Sequence, residues 1–321
     1  MRDGLGREIN YLRISVTDRC NLRCRYCMPE EGVPPLPHEQ VLRYEELLLV
    51  ARVAVTLGIT CFKVTGGEPL VRRGCAGFIR ALKHLPGVER VSLTTNGLLL
   101  EEHLEELAAA GLDGVNVSLD TLDPAQYRAL TRSSRDPAQV LSAVERCSTR
   151  IPTKLNAVAL EETADQLIPL ARIAQRLPVD VRFIEAMPIG PGVQSHRRRE
   201  PILEQLLAVW PDLSPTGERR GSGPAVYYGS AGLMGRIGLI QAVSHSFCQD
   251  CNRVRLTSTG VLKPCLCYET GVELRPLLRA GCGVAELRRV MAQAIRQKPA
   301  AHCFGLGLAA PEHRSMNQIG G

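Results

Sequence analysis

The stretch Tyr11-Leu12-Arg13-Ile14-Ser15-Val16-Thr17-Asp18-Arg19-Cys20-Asn21-Leu22-Arg23-Cys24-Arg25-Tyr26-Cys27 decides the fold. Its opening, Tyr11 to Val16, reads as a short strand, and three cysteines in CxxxCxxC spacing follow at once in a loop. Three thiolates then converge at the C-terminal end of a strand, where βα-repeat proteins build their sites. A [4Fe-4S] cluster with cysteine on three irons keeps its fourth iron open for chemistry. A zinc site completed by a distant His is the alternative for the same triad.

Outward from this loop, apolar segments alternate with helical patterns as far as Glu185. Strands are expected at Tyr11–Val16, Cys61–Val64, Arg90–Leu93, Gly114–Val117, Lys154–Ala159 and Val179–Ile184. Helices are expected at Tyr44–Thr56, Gly77–His84, Glu101–Ala110, Pro137–Arg146 and Ala164–Arg176. Six such units predict an incomplete, TIM-like (β/α)6 barrel of the α/β class, because closure needs about eight. Between Gly190 and Gly223 the chain becomes rich in Pro, Gly, Ser and Arg, apart from a helical piece around Ile202–Trp210. The reading therefore divides the chain into residues 1–190 and a smaller α+β domain, residues 191–321, covering the barrel's lateral opening. In the second part, Arg253–Thr257 and Val261–Lys263 form a hairpin turning at Thr259-Gly260. The basic run His196–Arg199 reads as a solvated loop.

With 321 residues, 45% hydrophobic and 22% charged, the chain can bury a full core. No apolar signal core opens it, and Leu47–Leu57, interrupted by Arg52, is too short to span a bilayer. A cytoplasmic enzyme with no membrane partner is expected. Twelve cysteines in such a chain favour metal ligation over a disulfide framework. Cys61, Cys75, Cys147 and Cys282 stand alone and read as buried thiols, and Cys303 is also isolated. The net charge of +6 points to an anionic partner without choosing one.

The first cysteine group is followed by Met28-Pro29, and the second strand ends in Thr65-Gly66-Gly67-Glu68-Pro69. Together these resemble the radical S-adenosylmethionine (SAM) superfamily. The resemblance implies a [4Fe-4S] cluster on Cys20, Cys24 and Cys27 as the catalytic metal centre, whose open iron chelates SAM. One electron then cleaves the sulfonium to methionine and a 5′-deoxyadenosyl radical. It also implies SAM contacts from Tyr26, Gly67, Ser118 of Ser118-Leu119-Asp120, and Met187 of Glu185-Ala186-Met187-Pro188.

Cys248-Gln249-Asp250-Cys251, with Cys265 after thirteen further residues, is a second triad. Taken alone it fits either a cluster or a zinc knuckle with Cys267 as fourth ligand. Phe247-Cys248-Gln249-Asp250-Cys251-Asn252-Arg253-Val254-Arg255-Leu256-Thr257 resembles the GTP 3′,8-cyclases of molybdenum cofactor biosynthesis, and Leu262-Lys263-Pro264-Cys265 sits where their third ligand does. That resemblance implies a second [4Fe-4S] cluster on Cys248, Cys251 and Cys265 that binds the purine, and GTP contacts from Arg13, Lys63, Thr94, Lys154, Arg253 and Arg255. Family examples carry Arg at the position of Lys63. The terminus Met316-Asn317-Gln318-Ile319-Gly320-Gly321 is similar to a family tail whose glycines reach the active cavity.

The implied activity is that of a radical SAM lyase. It cyclises GTP to (8S)-3′,8-cyclo-7,8-dihydroguanosine 5′-triphosphate, in the first step of molybdenum cofactor biosynthesis. The product would pass to cyclic pyranopterin monophosphate synthase, electrons would come from a low-potential donor, no nucleic acid would be bound, and a homodimer is compatible with the reading. Two rivals stay open at this point: a radical SAM maturase acting on a peptide or RNA, and a non-catalytic zinc scaffold.

Overall fold

The computed structural model describes residues 1–34, 36–189, 201–304 and 312–320. The basic run at His196–Arg199 and Gly321 lie outside the described residues.

Six strands, β1 (Tyr11–Ser15), β2 (Cys61–Thr65), β3 (Arg90–Thr95), β4 (Gly114–Ser118), β5 (Thr153–Ala159) and β6 (Asp180–Glu185), pair in parallel and in chain order. The later strands are β7 (Ser214–Pro215), β8 (Val226–Gly229), β9 (Ile237–Ile240), β10 (Arg253–Leu256), β11 (Val261–Lys263) and β12 (Val272–Glu273). They join the same sheet, in the order β12-β11-β10-β1-β2-β3-β4-β5-β6-β9-β8-β7. Strand β10 adds in parallel to β1, and β9 adds in parallel to β6; antiparallel hairpins finish both edges.

Period-2 patterning makes the sheet two-faced. In β5, Thr153, Leu155, Ala157 and Ala159 are buried while Lys154, Asn156 and Val158 between them are only partly so. One face packs on helices α1 (Tyr44–Thr56), α2 (Cys75–Lys83), α3 (Leu100–Ala109), α4 (Pro124–Thr131) and α5 (Pro137–Ser148), and the other lines a cavity. Helix α4 was not anticipated. Its signal is Asp123-Pro124: the Asp123 carboxylate caps the Gln126 N–H at 2.7 Å, and Pro sits at a first-turn position where its missing N–H costs nothing.

The single helix expected over Ala164–Arg176 is instead a 3-10 turn, Glu161–Gln166, followed by α6 (Leu167–Ala171) and α7 (Ile173–Arg176). Pro169 cannot donate to the carbonyl four residues before it, so one continuous helix cannot form. The remaining helices are α8 (Ile202–Val209), α9 (Arg275–Arg279), α10 (Val284–Arg296) and α11 (Met316–Ile319).

Leu12, Phe62, Val115 and Val181 of the early strands share one apolar core with Leu206, Val254, Leu256, Leu287 and Ile295 from the later part of the chain. A smaller cluster gathers Ile189, Cys267, Cys303, Phe304 and Ile319. Among the described residues, no helix is long and apolar enough to cross a membrane.

Candidate active site

The loop after β1 is held by its neighbours' backbones. The Gly67 N–H donates to the Thr17 carbonyl and the Glu68 N–H to the Arg19 carbonyl, both at 2.8 Å. A Cβ on Gly67 would lie 2.4 Å from the Arg19 oxygen, and one on Gly66 would lie 2.6 Å from the Thr17 oxygen. The paired glycines are therefore required by the approach of two protein loops, whatever ligand lies beyond them. Glu68 ties this loop to the end of β3, accepting from the Thr95 hydroxyl at 2.9 Å and the Asn96 N–H at 2.7 Å. Burial pushes its carboxyl up to about 7 despite these donors. Across the site, the Tyr26 hydroxyl donates to Asp120 at 2.8 Å, and the Val158 N–H donates to the other Asp120 oxygen at 2.7 Å. Burial raises Asp120 to about 6.

Cys20, Cys24 and Cys27 line a cavity of about 370 Å³ together with Cys248, Cys251 and Cys265. The two triads sit in different fields. Burial lifts Cys20 to about 11 and Cys27 to about 12, and raises Cys24 well above the ordinary thiol value. Burial also acts on Cys251, but Arg253 and Lys298 overcome it and bring that thiol down to about 7. Among the described residues, no three His, Cys, Asp or Glu side chains are placed to hold a single metal ion. A cubane cluster bonds one thiolate per iron and needs no such convergence, so the donor set suits a multi-iron cluster.

All other sequence-predicted contacts among the described residues reach this cavity. Tyr26, Gly67, Ser118 and Met187 line one part of it, and Arg13, Lys63, Thr94, Lys154, Arg253 and Arg255 line the rest. The sheet register explains the grouping: Arg255, Arg13 and Lys63 are Cα partners across β10, β1 and β2, so their side chains leave the sheet on one face. Arg182 of β6, not singled out in the sequence, lines the same cavity and donates to the Asn116 Oδ1 at 2.6 Å. Its signal was alternation, since Arg182 and Ile184 share the cavity face of β6.

Burial and the surrounding Arg182, Arg13, Lys154 and Arg253 hold Lys63 well below the usual lysine range. Burial and Arg182 bring Lys154 down to about 8, although Asp180 lies 3.3 Å from its Nζ.

Two isolated cysteines differ from expectation: Cys61 lines the cavity and Cys282 is only half-buried, whereas Cys75 and Cys147 are buried. Cys265 and Cys267 both lie beyond β11, which ends at Lys263, in a bend. The C-terminal tail enters the site. The Met316 N–H donates to the Cys27 carbonyl at 3.1 Å, the Asn317 amide to the Asp18 carbonyl at 2.9 Å, and Arg255 to the Gly320 carbonyl at 2.7 Å. Gly320 is buried at φ +74, where a side chain would be strained and would meet Ser15.

The Radical SAM superfamily profile matches residues 14–174, and the Molybdenum Cofactor Synthesis C profile matches residues 179–304. The chain is 44% identical over 328 residues to the GTP 3′,8-cyclase of Heliobacterium modesticaldum and 43% identical over 327 residues to that of Moorella thermoacetica, covering 100% of both chains in each pair. Among solved structures, Streptococcus suis SuiB bound to S-adenosylmethionine matches with a TM-score of 0.63 at 16% identity, over 90% of this chain and 68% of that one. At that identity the likeness concerns the fold.

Proposed function

The chain belongs to the GTP 3′,8-cyclase family of the radical SAM superfamily, and from that premise we infer how its cavity divides the work. The enzyme cyclises GTP to 3′,8-cyclo-7,8-dihydro-GTP for molybdenum cofactor biosynthesis, using SAM and an iron–sulfur cluster. The observation that carries the finer reading is the meeting of both cysteine triads and the cationic row in one cavity.

In this reading Cys20, Cys24 and Cys27 hold the SAM-binding [4Fe-4S] cluster and Cys248, Cys251 and Cys265 a second one. When bound, SAM and its cluster supply the one-electron chemistry that removes a hydrogen atom from the substrate. The protein's part is positioning. Asp120 fixes Tyr26, and Glu68 fixes the Gly66-Gly67 turn beside the first triad, so Tyr26, Gly67, Ser118 and Met187 offer SAM a preformed bed. Arg13, Lys63, Lys154, Arg253 and Arg255 hold the triphosphate, and Thr94 contacts the nucleotide. Arginine forks suit phosphate oxygens and stay charged; Lys63 supplies a point charge instead. Apolar walls at Leu22, Ile184 and Phe304 limit water near the reacting carbon.

We assign residues 1–190 to an incomplete barrel and residues 191–321 to the part that closes it, with β9 and β10 as the seams. Gly320 and Gly321 are the tail acting in the cavity. Handoff to a pyranopterin synthase, an external low-potential reductant and a homodimer belong to the same proposal. Full-length identity to named cyclases sets aside the maturase and the zinc scaffold. The test is anaerobic turnover of the iron-reconstituted protein with SAM, reductant and GTP deuterated at C3′. Deuterium in 5′-deoxyadenosine together with a cyclised nucleotide is expected. SAM cleavage without label transfer would overturn the assignment of substrate geometry.

A further inference from the structure

Two cysteines outside both triads meet in the small apolar cluster beside the second one. The Sγ atoms of Cys267 and Cys303 are 3.0 Å apart, and the Cys303 N–H lies 3.4 Å from the Cys267 sulfur. Even carbon pairs settle at about 3.5–4.0 Å, so these larger atoms are unusually close. About 1 Å of further approach would reach the roughly 2.0 Å of a sulfur–sulfur bond.

Both partners are anchored independently. Cys267 follows the Cys265 bend, and the segment carrying Cys303 is gripped from the far side by Arg7, which donates to the carbonyls of Pro299 at 2.8 Å and Ala300 at 3.1 Å. The Tyr268 hydroxyl adds a bond to the Ala301 carbonyl at 3.1 Å. Cys267 lies on the cavity wall, as do His302 and Phe304 on either side of Cys303. Cys267 is fully buried and Cys303 is 8% exposed, so a small reagent reaches the pair only when this wall opens locally.

We propose that Cys267 and Cys303 form a thiol–disulfide site of their own, separate from the cluster cysteines, which exchanges with low-molecular-weight disulfides entering through the cavity. The Cys267 thiolate attacks the small disulfide, forming a mixed disulfide and releasing one thiol. The Cys303 thiolate then attacks the Cys267 sulfur and releases the second. The protein gives up two electrons and two protons, and the small disulfide leaves as two thiols. Because the pair is buried, exchange is slow and equilibrium is the useful readout. The bond would lock the Cys265 bend onto the segment bearing His302 and Phe304.

The test uses cluster-loaded enzyme equilibrated anaerobically in glutathione buffers, acid-quenched, alkylated and mapped by peptide mass spectrometry. A linked Cys267–Cys303 peptide should rise through a single two-electron transition while iron content stays constant. Cys303→Ser, or Cys303→Ala should the serine variant not fold, should abolish that peptide and accumulate glutathione on Cys267. Recovery of both cysteines as free thiols at the most oxidising ratio would overturn the proposal. So would linkage of Cys267 only to a cluster cysteine after iron is lost.

Discussion

GTP binding should draw protons onto the enzyme, and Lys63 should carry much of that uptake. Lys63 is buried, its neighbours are cations, and no ion pair to it is found among the described residues. Burial and those cations favour its neutral form in the free enzyme; a triphosphate among them favours the charged form. The sign follows directly: a group whose pKa is depressed in the free enzyme and raised in the complex binds a proton on association, so affinity falls as pH rises between the two values. Each proton taken up weakens binding tenfold per pH unit, about 1.4 kcal/mol. Lys154, at about 8 in the free enzyme, adds a second proton over the upper part of the window. The slope of log Kd against pH should therefore approach two in the wild type. Arginine does not titrate here, so Lys63→Arg should lower that slope by one while keeping the phosphate contact. Calorimetry between about pH 7.5 and 9.5 avoids the phosphate's own ionisation near 6. Repeating it in buffers of unlike ionisation enthalpy counts the protons. Equal uptake by wild type and Lys63→Arg would refute the reasoning.

Gly67→Ala forces a methyl group against two backbone oxygens, 2.4 and 2.7 Å away. It should cost at least the ~1–3 kcal/mol typical of overpacking, read as a lower urea midpoint, and should slow SAM cleavage. Cys24→Ser should abolish SAM cleavage, whereas Cys251→Ser should impair GTP orientation and cyclisation first; loss of the same cluster in both, seen by iron analysis, would contradict the two-site division. Deleting Gly320 and Gly321 removes the carbonyl that Arg255 grips, and should stop cyclisation with iron content unchanged. Normal turnover would dismiss a role for the tail. Lys263 is fully buried against Glu312, which keeps Arg314 at 2.9 Å. Because that second cation remains, Lys263→Met should destabilise by less than the ~3–5 kcal/mol of a stripped buried pair, measurable by denaturant titration.

Local features were legible because local physics sets them. Alternation of apolar residues located β1 to β6 to within a residue or two at each end, and Tyr44–Thr56 emerged with its predicted limits. The two cysteine spacings and the Gly66-Gly67 pair pointed to one chemistry, because a cluster loop and a tight backbone approach leave few alternatives in residue type. Helix α4 was missed because its eight residues present only a weak apolar stripe, and the helix expected near Ala164 was broken by a proline that periodicity alone does not weigh.

By itself, then, the sequence determined the βα repeat, the two thiolate triads and the family resemblance, all of them properties of spacing along the chain. Tertiary structure alone decided what non-local contacts decide. Strands β9 and β10 were free to form a separate sheet but extend the first one at both edges, and that register aligns Arg255, Arg13 and Lys63 on one face. Arg182 becomes a cavity residue only when β6 lies beside β5, and Cys267 finds Cys303 across 36 residues of chain. Pattern assigns each residue to a face of its own element; the partner it meets there depends on how distant elements stack, and no short window of sequence encodes that.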